Sequence, residues 1–308
     1  MESDIPPIKN RKRRSVLILT GVVGVALTAL AYSYFIEPQR LVINSAELKI
    51  SKWNPAFDGI KIIAISDIHG GSNSVDEAKI RRVVDAANAQ DPDLVVLLGD
   101  YVSQTGPRRS DGKRALRMPV DTIAASLKGL HAKLGVFAVL GNHDGWHDDG
   151  AIAEALNANG IKVLDGEVAV VEKNGALLRI LGLKDQLKIK AWEDFHEDAR
   201  KLLAATEGAG DILVLEHSPD VAPIINGPEP ISKDMRLMIA AHTHGGQVWL
   251  PVLGRPIVPS GYGQKYAAGH VRDNGLDIFV TTGVGTSILP FRFMVPPEIA
   301  VLTVRSAE

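Results

Sequence analysis

A chain of 308 residues with no cysteine is long enough for one large α/β domain or two small ones. Its near-balanced charge, formally −2, lacks the domain-wide basic footprint of a nucleic-acid binder, so no nucleic acid polymer is expected as a partner. Without thiols, disulfide frameworks, zinc fingers and thiol catalysis are excluded, and any metal must be held by His, Asp, Glu or Asn.

The first element reads as a membrane segment. Lys9, Arg11, Lys12, Arg13 and Arg14 precede VLILTGVVGVALTALAYSYFI, and no charged residue lies between Ser15 and Ile36. That run is about the length an α-helix needs to cross a bilayer. Tyr32, Tyr34 and Phe35 stand where interfacial aromatics belong, and the basic cluster predicts a cytoplasmic N-terminus over residues 1–14. A retained single-pass anchor over 15–36 is expected, with the lipid bilayer as a partner. The alternative is a cleaved export signal, because Arg13-Arg14 loosely matches a twin-arginine motif and Ala29-Leu30-Ala31 offers a cleavage site. Either way the rest of the chain lies outside the cytoplasm.

Residues 37–58 read as a connecting segment and 59–308 as one domain. IKIIAIS (60–66) is a buried strand. Ser74 and Glu77 form a capping box before a helical stripe of Val75, Ala78, Val83, Val84 and Ala87. LVVLL (94–98) is the next strand. Pro119 then opens a helix with Val120, Ile123, Leu127 and Leu130 inside, followed by the strand VFAVL (136–140). A helix near 151–159 ends at Gly160, with Asp148 or Asp149 as its N-cap. Strands at 168–171 and 176–181 flank Asn174-Gly175, a hairpin signal. A helix around 193–205 precedes the strand DILVLE (211–216), and MRLMIAA (235–241) follows. Another Asn-Gly turn stands at 274–275, with strands near 276–281 and 299–304. Strands alternating with helices, then hairpins, imply an α/β fold with mixed sheets.

Polar residues follow these strands in order. They are Asp67-Ile68-His69-Gly70, then Gly99-Asp100, then Gly141-Asn142-His143-Asp144, then Glu216-His217, then His242-Thr243-His244. On a strand, His242 and His244 would share a face, and two crowded imidazoles suit a metal between them. Sites in open α/β sheets assemble at the carboxyl ends of strands, so these five blocks can converge. Asp67, His69, Asp100, Asn142, His217, His242 and His244 are too many donors for one tetrahedral zinc, and suit two metals sharing a carboxylate.

The ordered blocks D-x-H, GD, GNHD, a lone His and H-x-H resemble the calcineurin-like metallophosphoesterase superfamily. The resemblance runs from about Ile60 to the C-terminus. It implies a layered αββα sandwich of two mixed β-sheets flanked by helices, here with an N-terminal transmembrane helix. It also implies two divalent metal ions, Mn, Fe or Zn. Asp67, His69 and His244 would hold one metal, Asn142, His217 and His242 the other, and Asp100 would bridge. His143 would face the substrate as the catalytic acid, with Asp144 behind it.

Two departures stand out. Ala241 occupies a position where the family usually has Gly, a small steric matter, and GDYVSQ lacks the acidic-arginine continuation of the Ser/Thr protein phosphatases. GVGTSILPFRFMVPPEI is similar to an exported or membrane-associated bacterial branch that includes phosphodiesterases and UDP-2,3-diacylglucosamine pyrophosphatases of lipid A synthesis. Hydrolysis of a phosphoester substrate by a hydroxide held between the metals is therefore expected, on a membrane-linked or nucleotide compound. The rival readings are a phosphomonoesterase on soluble substrates and a catalytically silent binding module. Arg108, Arg109, Lys113, Arg114 and Arg117 read as a solvated loop, the alternative being a grip on an acidic headgroup. His131, His196 and His270 match no motif, and the sequence gives no oligomeric state.

Overall fold

In a computed structural model, residues 8–110, 112–206 and 208–307 are described, with side chains from Arg13 onward. Residues 1–7 of the expected basic N-terminus, and the side chains of Lys9, Arg11 and Lys12, lie outside them. Helix α1 (Ile8–Ala31) is followed by a π-helical turn at Tyr32–Ile36 and a 3-10 turn at Glu37–Gln39. Its apolar side chains are exposed, and Arg13–Gln39 is a candidate membrane span by length and composition.

The remaining elements, in chain order, begin with β1 (Val42–Ser51), β2 (Ile60–Ile65), α2 (Glu77–Asn88) and β3 (Leu94–Leu98). A short hairpin of β4 (Gln104–Thr105) and β5 (Ala115–Leu116) precedes α3 (Val120–Leu127) and β6 (Val136–Val139). Then come α4 (Asn142–Gly145), α5 (Asp149–Ala158), β7 (Lys162–Val163), β8 (Glu167–Lys173), β9 (Ala176–Gly182) and α6 (Trp192–Ala205). The last group is β10 (Asp211–Leu215), α7 (Ala222–Ile225), β11 (Met235–Ala240), β12 (Gly269–Asp273), β13 (Leu276–Val280) and β14 (Glu298–Ala307).

Two six-stranded sheets result, ordered β1-β14-β2-β3-β6-β7 and β12-β13-β11-β10-β9-β8. In the first, β2, β3, β6 and β7 run parallel; in the second, β9, β10, β11 and β13 do. Strands covered on both faces read as continuous apolar runs rather than alternations. LVVLL shows why. Leu94, Val96 and Leu98 fill the space between the sheets, while Val95 and Leu97 face α2 and α3. In β10, Leu213 and Leu215 meet them from the other sheet, and Ile212 and Val214 turn outward toward the layer containing α6. Each such side chain contributes about 1.5–3 kcal/mol by leaving water. The architecture is the expected αββα sandwich.

Two local expectations are corrected. The segment 37–58 is more than a connector, because β1 pairs with β14 in parallel along ten residues, from Val42 opposite Glu298 to Ser51 opposite Ala307. Its exposed alternation of polar and apolar residues marks an edge strand with one covered face. Helix α2 is capped by Asp76, whose Oδ1 accepts from the Lys79 amide at 2.7 Å, whereas Ser74 has a left-handed φ of 70°. Asp148 caps α5, accepting from the Ala151 amide at 3.1 Å.

Candidate metal centre

Every strand-end block named from the sequence lies at the carboxyl edge of the sandwich. Asp67 and His69 follow β2, Asp100 follows β3, Asn142 and His143 follow β6, His217 follows β10, and His242 and His244 follow β11. Parallel strands with matched registers deliver these ends to one place. The chain turns sharply there. Asp67, His69, Asp100, His242 and His244 all have positive φ, between 45° and 68°, a conformation that side chains other than Gly adopt only where surrounding structure enforces it. The pair His242 and His244 therefore lies beyond the strand end at Ala240, not on a strand, and its two rings serve different clusters.

Neighbouring glycines allow the crowding. A Cβ on Gly141 would lie 2.4 Å from Asp100 Oδ1, and one on Gly283 would lie 2.7 Å from Asp67 Cβ.

The first cluster joins Asp67, His69 and His244. His244 Nε2 lies 3.3 Å from Asp67 Oδ1 and 3.2 Å from His69 Nε2. The second joins His217, His242 and Asp100, with His217 Nε2 3.1 Å from His242 Nδ1 and 3.2 Å from Asn142 Oδ1. Asp100 stands between them. Its Oδ2 is 3.5 Å from His69 Nε2 and 3.3 Å from His217 Nε2, while its Oδ1 accepts from the His143 amide at 2.8 Å.

The donor chemistry fits cations. His69 Nδ1 faces the Val102 carbonyl at 3.1 Å and His217 Nδ1 faces the Leu98 carbonyl at 2.7 Å. A carbonyl only accepts, so each ring carries a proton on Nδ1, and Nε2 of His69 turns a lone pair toward the cluster. Against the effect of burial, the Asp100 carboxylate raises the pKa of His217, whose Nε2 lone pair a cation would take in place of a proton. His242 is likewise bonded to the Pro259 carbonyl, which leaves Nδ1 to face inward. Asp67 Oδ1 is buried without a hydrogen-bond partner, its Oδ2 accepting from Ser66 Oγ at 2.7 Å. Converging lone pairs and an orphaned carboxylate oxygen in a buried place call for positive charge. Burial lowers His69 to about 3 and His242 to about 4, so both rings are neutral at pH 7, the form that ligates metals.

His143 and Asp144 part company. The His143 ring lines the cleft, with Nδ1 2.7 Å from Gln104 Oε1 and Nε2 3.5 Å from Ser287 Oγ. The Gln104 amide also donates to the His143 carbonyl at 2.6 Å. Asp144 does not meet the ring. Its carboxylate accepts from four backbone amides: Asp100 at 2.8 Å, Tyr101 at 2.9 Å, Val102 at 3.3 Å and Gly141 at 2.9 Å. Burial pushes Asp144 up to about 7, yet four N–H donors suit only the ionised form. It ties the loop after β3 to the turn after β6.

Sequence reasoning missed Gln104, inside the quoted GDYVSQ, and Arg292, inside PFRFM. Arg292 is fully buried. It donates to the carbonyls of Gly285, Thr282, Gly283 and Val295 and lies 3.4 Å from His244 Nδ1. Burial lowers it to about 10, leaving it charged at pH 7. A buried arginine amid apolar residues carries no periodic signal; its carbonyl partners appear only once the loops fold. Ala241 packs in the core between the sheets.

The cleft above the donors has a volume of about 970 Å³. Arg108, Arg114 and Arg117 line it, so three of the five loop cations face the site as well as solvent.

The pattern of the calcineurin-like phosphoesterase family matches residues 60–246, from β2 through the last donor. The chain belongs to that family. YkuE of Bacillus subtilis, named an uncharacterized metallophosphoesterase, is 28% identical over 98% of this chain and all of its own length. YaeI of Escherichia coli, named a phosphodiesterase, is 28% identical over 94% of this chain and 98% of its own. Among solved structures, a 5'-nucleotidase precursor of Thermus thermophilus aligns with a TM-score of 0.44 and 15% identity. That alignment covers 79% of this chain and 54% of the nucleotidase, so the chain spans about half the length of that solved relative. The protein is thus a metallophosphoesterase, a hydrolase with the donors of a dinuclear site.

Proposed function

We propose that this metallophosphoesterase hydrolyses a phosphodiester or pyrophosphate of a membrane-linked or nucleotide compound, outside the cytoplasm. The observation that carries the hydrolase reading is Asp100 Oδ2 lying between the two donor clusters, 3.5 Å from His69 Nε2 and 3.3 Å from His217 Nε2, and the relative YaeI, named a phosphodiesterase, favours the diester. Asp67, His69 and His244 would hold one divalent cation and Asn142, His217 and His242 the other, with Asp100 shared. Mn, Fe and Zn all suit this set of N and O donors. Such a pair supplies a water of lowered pKa and positive charge for the phosphoryl oxygens.

The protein's own groups do the rest. The His143 amide holds Asp100 Oδ1, which fixes Oδ2 toward both clusters. The His143 ring, its Nδ1–H held by the Gln104 carbonyl, points Nε2 into the cleft. Burial holds its pKa below the ordinary imidazole value, so the imidazolium that donates a proton to the leaving oxygen is the form favoured at acidic pH. Asp144 is a positioning residue, fixing the loop that carries Asp100 through four amides. The phosphomonoesterase reading has no specific support here. A binding module that had lost catalysis would have lost donors, and all seven are brought together.

The test uses the purified full chain with excess Mn and a panel of aryl phosphomonoesters, aryl phosphodiesters and a sugar-nucleotide pyrophosphate. Diester or pyrophosphate turnover at least tenfold above monoester turnover supports the reading. The reverse ranking makes the protein a phosphomonoesterase, and no turnover on any of them revives the silent module.

A further inference from the structure

The end of the membrane helix is built into the cleft. The Ser33 carbonyl accepts from the Arg292 amide at 3.1 Å. Asn73 Nδ2 donates at once to the Tyr34 carbonyl at 2.8 Å and the Pro290 carbonyl at 2.7 Å. The fully buried ammonium of Lys79 donates to the Pro38 carbonyl. Tyr34 itself lines the same cavity as Asp100, Asn142 and His143. An anchor serving only as a tether would need none of these ties.

The surface beside that junction is apolar. Tyr34, Ile257, Ile288 and Leu289 form one part of the cavity lining. Phe35, Ile36, Ile288 and Met294 are exposed large hydrophobics, Ile288 at 76% and Phe35 at 69%. The loop carrying Ile288 to Met294 also runs back along the helix, since Phe293 faces the flank formed by Gly24, Thr28 and Tyr32. A side chain beside Gly24 and Thr28 sits at the level of residues that the span itself buries in lipid. Exposed apolar groups continuous with a membrane helix have one solvent they suit, the bilayer interface.

Resting on the phosphoester reading above, we infer that the cleft opens onto the membrane surface and takes an amphiphilic phosphoester directly from the bilayer. The acyl chains stay in lipid along the Tyr34–Ile288 side of the mouth. The phosphoryl group reaches the donor clusters, and Arg108, Arg114 and Arg117 face the remaining anionic part of the headgroup. Hydrolysis breaks the P–O bond with water, so the acylated and the water-soluble fragments separate at the interface without a further reactant.

Two measurements on the full chain reconstituted in phosphatidylcholine vesicles test this. The first compares ethyl p-nitrophenyl phosphate in water with dioleoylglyceryl p-nitrophenyl phosphate in the vesicles, which share a leaving group. Replacing Phe35 and Met294, which lie outside the cleft, by Asn (Phe35→Asn with Met294→Asn) should lower kcat/KM on the lipid ester at least tenfold. The soluble ester should change less than twofold. Met294 has a φ of 57°, a conformation Asn accepts readily. An equal fall on both esters, or no fall on the lipid ester, overturns the inference.

The second measurement needs no activity. The chain has no cysteine, so a spin label on Met294→Cys reports one place. It should be relaxed by oxygen more than by a water-soluble nickel chelate. A label on Glu172→Cys, at the exposed turn end of β8 remote from the donors, should show the opposite preference. Matching aqueous accessibility at both positions overturns the inference. If neither ester is cleaved, the phosphoester reading fails while the labels still decide where the mouth lies.

Discussion

The two donor clusters flanking Asp100 differ in charge and depth. Asp67, His69 and His244 are all buried and include a carboxylate, and the buried Arg292 backs His244. Asn142, His217 and His242 bring no carboxylate of their own, and of these three both Asn142 and His242 line the cleft. In the first cluster only His244 does. Burial and the Asp67 carboxylate favour retention of a cation in the first set, offset in part by the charged Arg292 behind His244, whereas a neutral and more open set leaves charge for an incoming phosphoryl oxygen. In the proposed centre one half would thus serve retention and the other contact with the ligand.

Asp100→Ala removes the one donor that, among the described residues, stands between the two halves, and should erase their difference altogether. We expect loss of at least one metal per chain and a fall of more than about 10³-fold in kcat/KM, read by metal analysis beside diester turnover. Two metals and undiminished turnover in that variant would refute the sharing.

His143→Ala probes chemistry outside the two clusters, since the His143 ring, although it also groups with His69 and Asp100, has its Nδ1 held by Gln104. It should keep both metals and lose about 10²–10⁴ in kcat, most with poor leaving groups and least with a nitrophenyl ester. A loss of metal, or an equal loss on every leaving group, would remove His143 as the acid.

The asymmetry itself is sharpened by pairing Asp67→Asn with Asn142→Ala. Competition with a graded chelator should weaken metal retention in both. The Asp67 variant should lose its tighter ion by at least tenfold in affinity, and the Asn142 variant mainly its weaker one. Identical displacement curves would make the halves equivalent.

Smallest is the effect expected of Gln104→Leu, which strips the ring of its orienting carbonyl. Groups that orient a functional imidazole typically contribute about 10–100-fold. The variant should fall in that range in kcat with unchanged metal content, and Gln104→Glu should recover part of it by accepting the same Nδ1–H. A Gln104→Leu enzyme with wild-type kcat would leave the ring orientation without consequence.

Much of this was legible because the chemistry sits at strand ends. LVVLL followed by Gly-Asp, and VFAVL followed by Gly-Asn-His-Asp, announce both the buried strand and the donors in adjacent letters. Continuous apolar runs located the central strands, and period-3.6 patterns the helices, within a few residues. The edge strand β1 was read as a connector although Ala46, Leu48 and Ile50 alternate with exposed polar residues, because its partner, β14, lies some 250 residues away, as in the pairing of Val42 with Glu298. His242 and His244 misled in a different way. Their spacing fits a shared strand face, but the left-handed backbone at both sends the two rings to different clusters. Asp144 adjoins His143 in sequence, yet the tight turn at α4 carries its carboxylate to four amides, and Gln104 from the β4 edge takes the place at the ring. Contacts made by loops folding back, as with Arg292, leave no periodic trace.

The central claim is that Asp100 joins two unlike cation sites into one centre. Titration of the metal-stripped chain with Mn(II), followed by electron paramagnetic resonance, tests it most directly. Two cations joined through Asp100 should give an isolated-ion signal at the first equivalent that gives way to an exchange-coupled pair at the second, and no coupled signal in Asp100→Ala. An uncoupled signal that merely doubles, or saturation at one ion per chain, would contradict it.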